Sequence, residues 1–265
     1  MTAGEIRALA VKAGIGRGVA VLDLCCGVGG PGRFLARELA CAYLGVDASA
    51  SAVAIARERA GDLPCRFATA HVPPLPAGSF DVVLLLETML AFADKDALLR
   101  EIAAALRPGG RLAFTLEEGP PLTTAERAAM PAADTVWLTP LDAMAASLER
   151  AGLAVTWHED HSHAHRAVAQ SLADAFSADA EDIAAQIGRR ALDELLAAHR
   201  LWIEWLGEAR VRKLALVAER ADALADAPGA PEAAHADRRG RQHEHQHQAR
   251  AGRGADPGRA PVESG

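Results

Sequence analysis

The stretch Val21–Arg33, VLDLCCGVGGPGR, leaves this chain few architectures. An apolar run carrying one aspartate passes into two cysteines and a set of glycines. A short apolar run ended by glycine reads as a parallel strand buried on both faces. A tight turn from such a strand into a helix needs backbone of positive φ, and close approach of a ligand leaves no room for a Cβ. Glycine meets both demands. Gly27, Gly29 and Gly32 satisfy G-x-G-x-x-G, a weak signal alone, because a tight turn without a ligand uses the same residues.

Residues 20–117 keep alternating strand and helix. VAVLDLC, AYLGVD, CRFATA, FDVVLLLE and RLAFTL are the predicted strands. GRFLARELA, SAVAIARERA and DALLREIAAAL carry apolar residues at helical spacing, and RPGG ends the last of them. Such alternation implies a parallel sheet covered on both faces, wound by right-handed crossovers. Ligands of such sheets sit beyond the carboxyl ends of the strands, at the switch point. Further on come a helix (LDAMAASLERAG), a strand (LAVTWHED), helical stretches over 164–176 and 178–206, and a last strand candidate, VRKLALVAER. The expected organisation is an N-terminal helix (1–19), an α/β core (20–160), a helical cap (161–210) and the last core strand (211–220). Residues 227–265 hold too few large apolar side chains to offset ordering entropy, so disorder is expected there.

A net charge of −7 argues against a nucleic-acid surface, which needs clustered Lys and Arg. No apolar run reaches the roughly 18–20 residues that span a bilayer. The four cysteines form no C-x-x-C pair and are too sparse for a disulfide scaffold. A cytoplasmic protein is expected; its oligomeric state is left open.

Asp47 ends the second strand, 20 residues after Gly27. An acid there accepts hydrogen bonds from ribose hydroxyls, which suits NAD and S-adenosylmethionine equally. A helix-capping role for it competes. Four other features separate the two cofactors: Asp23 near the end of the first strand, LPAGSFDVV leading into the fourth, the order helix–RPGG–fifth strand, and a late strand after a helical insertion. Together, over roughly residues 5–220, they resemble the class I S-adenosylmethionine-dependent methyltransferase family. Within it the chain is most similar to small-molecule enzymes of the sarcosine/dimethylglycine and sterol/tocopherol type, whose GCGxGGPxRxLA motif is similar to CCGVGGPGRFLA here.

The resemblance implies a doubly wound, Rossmann-like α/β fold of strand order 3-2-1-4-5-7-6, with the cap inserted before the last strand. It implies S-adenosylmethionine as cofactor and a small-molecule methyl acceptor as partner. Gly27 and Gly29 would let the backbone pass the methionine part, and Cys25 replaces the family's first glycine. Asp23 would hold the amino group, and Asp47 with its neighbour Ala48 the ribose. His71 stands where the family often has an acid at the adenine. Glu87 matches the acid after the fourth strand, while the histidine of that segment falls on Ala91.

Methyl transfer needs a positioned nucleophile and, for some acceptors, a base. Glu87 is one candidate base, with a structural role as its alternative. The segment WHEDHSHAH supplies others. His158 and His161, with Asp160, read as a base with an orienting acid. His161, His163 and His165 have spacing that suits a metal, and solvated or helix-capping histidines explain the same residues; no metal is expected. Trp202, Trp205, Met89, Phe92 and Trp137 read as pocket lining or as core. Two rival functions remain: an NAD(P)-dependent oxidoreductase and a non-catalytic cofactor-binding protein. The short-chain oxidoreductases need a Tyr-x-x-x-Lys pair, and the single tyrosine, Tyr43, has no lysine four residues on.

Overall fold

The computed structural model describes residues 1–221. The expected disordered segment 227–265 lies outside them. Seven strands form one sheet: β1 (Ala20–Leu24), β2 (Ala42–Asp47), β3 (Cys65–Thr69), β4 (Phe80–Leu85), β5 (Leu106–Glu118), β6 (Leu153–Asp160) and β7 (Arg212–Arg220). Their order is β3-β2-β1-β4-β5-β7-β6, as expected. β1 to β5 run parallel, and β7 lies antiparallel between β5 and β6.

Six helices are α1 (Ala3–Lys12), α2 (Gly30–Leu39), α3 (Ala50–Ala60), α4 (Lys95–Ala105), α5 (Thr124–Ala129) and α6 (Leu141–Arg150). Three more, α7 (Ser162–Ala178), α8 (Ala180–Ile187) and α9 (Arg189–Gly207), fill the insertion between β6 and β7. Side chains alternate across the strands, so each strand feeds two cores. Leu22, Leu24, Val83, Leu85 and Phe114 pack with Leu99 and Ile102 of α4 and Met144 of α6. Val21, Val82 and Leu84 face the other way, onto Leu9 of α1, Leu35 of α2 and Val53 of α3. Each such burial contributes roughly 1.5–3 kcal/mol. The helix starts are locally encoded. Ser49 Oγ accepts from the Ala52 N–H at 3.2 Å to open α3, and Asp94 accepts from the Ala97 N–H at 2.9 Å to open α4.

Three elements differ from the sequence-based expectation, the first being β5, which starts at Leu106 and takes in RPGG ahead of the expected RLAFTL. The helix expected over 178–206 is broken at Gly188, whose φ of 89° separates α8 from α9. And α7 begins at Ser162, so WHEDHSHAH is split between a strand, a turn and a helix. The chain leaves β1 toward β2 and β3, then returns to β4 on the far side of β1. The switch point therefore lies between β1 and β4, where a crevice for a ligand forms.

Candidate active site

The glycine turn leaves β1 at that switch point. Cys25, Gly27 and Gly29 all have positive φ, at 59°, 52° and 70°. For Cys25 this left-handed backbone costs about 1–2 kcal/mol. The three glycines serve different ends. A Cβ on Gly27 would meet open space. A Cβ on Gly29 would lie 2.6 Å from the Phe67 ring, and one on Gly32 would overlap Tyr43. Gly27 alone leaves its backbone clear for a ligand; the other two are small so that α2 can sit on β2 and β3.

Asp47 ties this turn to the next. Its Oδ2 accepts from the Gly27 N–H at 2.8 Å, and its Oδ1 from the Ser49 N–H at 2.8 Å. The residue that caps α3 is Ser49, which leaves Asp47 half-buried beside the turn. Ala48 and His71 are exposed just beyond β2 and β3. Asp23 is 2% exposed and accepts a hydrogen bond from the Tyr43 hydroxyl. Burial raises its carboxyl to about 7, with the Tyr43 bond opposing. Burial likewise pushes the Cys25 thiol up to about 11, so it stays protonated at neutral pH.

Beyond β4 the site turns into a buried charge cluster. Glu87 has φ 62°, and its N–H donates to Thr115 Oγ1 at 2.7 Å. The antiparallel register sets Glu117 of β5 directly opposite Lys213 of β7. Lys213 is 1% exposed; its ammonium donates to Glu87 at 2.6 Å and to Glu117. Burial alone would raise the Glu87 carboxyl, but the Lys213 charge and hydrogen bond, aided by the Met1 amino group, hold it at about 2. A carboxylate held so low by its cations is a poor proton acceptor. Lys213 is raised, because its two carboxylates outweigh burial.

Above this cluster, between α7 and α9, lies a cavity of about 220 Å³. Its walls are Leu90, Val168, Ala169, Leu172 and Trp202, and its polar groups are Glu87, Glu117, His165 and His199. The histidines expected to act fall elsewhere. His158 is exposed on β6, the outer strand of the sheet. His161 sits at the N-cap of α7, its ring 3.7 Å from Glu5 and 3.4 Å from Glu159. His165, one helical turn further on, is the member of WHEDHSHAH that lines the cavity. Its position depends on α7 starting at Ser162, which the sequence pattern did not show. Among the described residues, no three His, Cys, Asp or Glu converge as metal ligands.

The aromatic residues divide in the same way. Trp202 lines the cavity and packs edge-on at 5.5 Å against Trp205, which is buried. Met89 is core, and its neighbour Leu90 takes the wall position. Trp137 lies outside this cavity, under the Arg127 guanidinium, with its indole N–H on the Asp134 carbonyl. Sequence reasoning passed over Lys213 and Glu117. The signal available was a lysine inside the apolar run of a buried strand, which must find carboxylates to stay charged.

Residues 21–110 match the family described as methyltransferase domain. The methyltransferase GfsG of Streptomyces halstedii is 36% identical over 106 residues, 38% of this chain and 38% of that protein. The match thus spans less than half of that relative's length. A Galdieria sulphuraria structure, assigned as a sarcosine dimethylglycine methyltransferase, superposes with a TM-score of 0.75 at 16% identity, covering 84% of this chain and 85% of that one. Phosphoethanolamine N-methyltransferase 2 of Haemonchus contortus, solved with phosphomonomethylethanolamine and S-adenosylhomocysteine, gives 0.70 at 20% identity, covering 83% and 53%. Residues 21–110 thus match a methyltransferase domain, and the sheet they open has the fold of these solved methyltransferases.

Proposed function

We propose that this chain transfers the methyl group of S-adenosylmethionine to a small organic acceptor. The observation that carries the reading is the turn at Gly27: open space where a Cβ would stand, with Asp47 already anchored to the same backbone at the switch point of the sheet. These residues suit the cofactor. Asp47, next to Ala48, takes the ribose hydroxyls, and Gly27 and Gly29 carry the backbone past the methionine part. Asp23 is the acid for the amino group, with one oxygen committed to Tyr43. His71 stands at the adenine end. When bound, the cofactor supplies an activated methyl group.

Glu87 and Thr88 connect the two halves of the site, since Glu87 lines the acceptor cavity and Thr88 lies against Cys25 of the turn. The helical insertion α7–α9 roofs the acceptor side and keeps water from it. The short-chain form of the rival dinucleotide reading is disfavoured, because the Tyr43 hydroxyl is buried on Asp23. No described helix is long and apolar enough to cross a membrane, and all four cysteines are free thiols. Both support a place in the cytoplasm.

The test is calorimetric titration of the full chain with S-adenosylmethionine, S-adenosylhomocysteine and NADPH, with Asp47→Ala as control. Binding of the first two, at least tenfold weaker in Asp47→Ala, supports the reading. Binding of NADPH alone, or of none of the three, overturns it.

A further inference from the structure

We propose that the cavity between α7 and α9 selects acceptors with an apolar body and a hydrogen-bond-donor head, an amine or a hydroxyl, and that Glu117 and His165 receive that head. Two groups that line the cavity, Glu117 and His165, carry the proposal. Glu117 is 6% exposed; one of its oxygens takes the Lys213 ammonium, and the other, Oε2, is buried without a partner among the described residues. A buried polar atom left unpaired costs about 1–3 kcal/mol, and more when charged, so a donor placed there recovers that loss. His165 is the second. Burial and the Lys213 charge lower its pKa below the usual 6.5, so its ring is neutral at pH 7 and one nitrogen is free to accept. His199, across the cavity, is held by its Nδ1–H, which donates to the Leu195 carbonyl at 2.8 Å.

Charge narrows the class further. Two carboxylates reach the cavity, Glu87 and Glu117, and the cations beside them are already paired: Lys213 with both, and the Met1 amino group with Glu87 at 3.4 Å. No arginine or lysine is among the wall residues. A carboxylate or phosphate head has no proton to give Glu117 and finds no unpaired cation in the wall, so burying it there is costly. Leu90, Val168, Leu172 and Trp202 supply the apolar walls for the body. His165 is then the catalytic base. The acceptor's lone pair forms the new bond to the methyl carbon, the carbon–sulfur pair stays with sulfur, and the acceptor's proton passes to the neutral imidazole. This last step rests on the methyltransferase reading; the binding preference does not.

The experiment follows tryptophan fluorescence of the full chain on titration with three probes of similar shape: 2-phenylethanol, 2-phenylethylamine and 3-phenylpropionate. At pH 7.5 the alcohol and the amine should bind at least tenfold more tightly than the carboxylate. Glu117→Gln should remove most of that preference. Should that variant fail to fold, because Lys213 loses a partner, Leu172→Trp and His165→Gln carry the test. Leu172→Trp fills the cavity and should abolish binding of all three probes. The groups facing His165 are Glu87, Glu117, Lys213, the Met1 amino group and His199. Affinity for 2-phenylethanol should fall as pH drops below the ordinary histidine range and His165 gains a proton, and His165→Gln should flatten that profile. Equal affinity for alcohol and carboxylate, unchanged binding in Leu172→Trp, or an unchanged pH profile in His165→Gln would each overturn the proposal. The same proteins are titrated with S-adenosylhomocysteine. Failure of the wild type in that titration sinks the methyltransferase reading alone, whereas failure of the probes alongside normal binding of that ligand sinks only this inference.

Discussion

Replacing Asp23 with Asn should stabilise the protein, and by an amount that grows with pH. Asp23 is 2% exposed, and its carboxyl is raised to about 7 from 3.8, first by burial, with the Tyr43 bond opposing. A carboxyl whose folded pKa lies above its unfolded value binds its proton more tightly when folded. The stability this contributes is full below 3.8, is lost as pH rises to about 7, and is gone above. Across the whole window the loss is about 4 kcal/mol, at 1.36 kcal/mol per unit. Between pH 5 and pH 9 only the two units below 7 count, so about 3 kcal/mol is lost. Asn keeps an oxygen for the Tyr43 hydroxyl and has no charge to bury. Thermal melts of both proteins from pH 5 to pH 9 should therefore diverge by roughly 5–10 °C in favour of Asp23→Asn, for a domain of this size. The difference between the two curves isolates Asp23, since every other titrating group is shared. A constant gap across that range, or a variant less stable at pH 9, would refute the reasoning.

Other perturbations have equally direct readouts. Lys213→Met leaves Glu117 buried with an uncompensated charge and should cost about 3–5 kcal/mol in urea denaturation, with Lys213→Met/Glu117→Gln recovering much of it. Glu87 has a folded pKa of about 2, below its ordinary 4.5, so its stabilisation is present above 4.5 and lost as pH falls toward 2; Glu87→Gln should flatten that part of an acid-denaturation curve. Gly32→Ala places a methyl into the Tyr43 ring and should destabilise by about 1–3 kcal/mol, seen as an earlier urea midpoint with the slope unchanged.

The parts of the site that lie close in sequence were legible in it. VLDLCCGVGG reads as a buried strand entering a tight turn because burial on both faces and positive φ each leave a local mark. Asp47 was legible for the same reason, standing at a strand end a fixed distance from the turn. The reasons for the glycines were not, since Gly29 and Gly32 answer to Phe67 and Tyr43, which only the packing of β2 and β3 brings under α2. His158 and His161 stood out in the sequence as strongly as His165. The start of α7 at Ser162 sets which of them lines the cavity, and that boundary follows from where β6 stops pairing with β7.

What the sequence by itself determined is the alternation of strands and helices, the glycine turn, and the acids at the ends of β1, β2 and β4. These rest on periodicity and on backbone demands that neighbouring residues satisfy alone. Only the tertiary structure decided the cavity between α7 and α9: the Lys213–Glu117–Glu87 cluster, the unpartnered oxygen of Glu117, and the approach of His165. Glu117 and Lys213 are 96 residues apart, and an antiparallel register joins them. A one-residue slip would turn either side chain to the opposite face of the sheet, so no local pattern can foretell the pair.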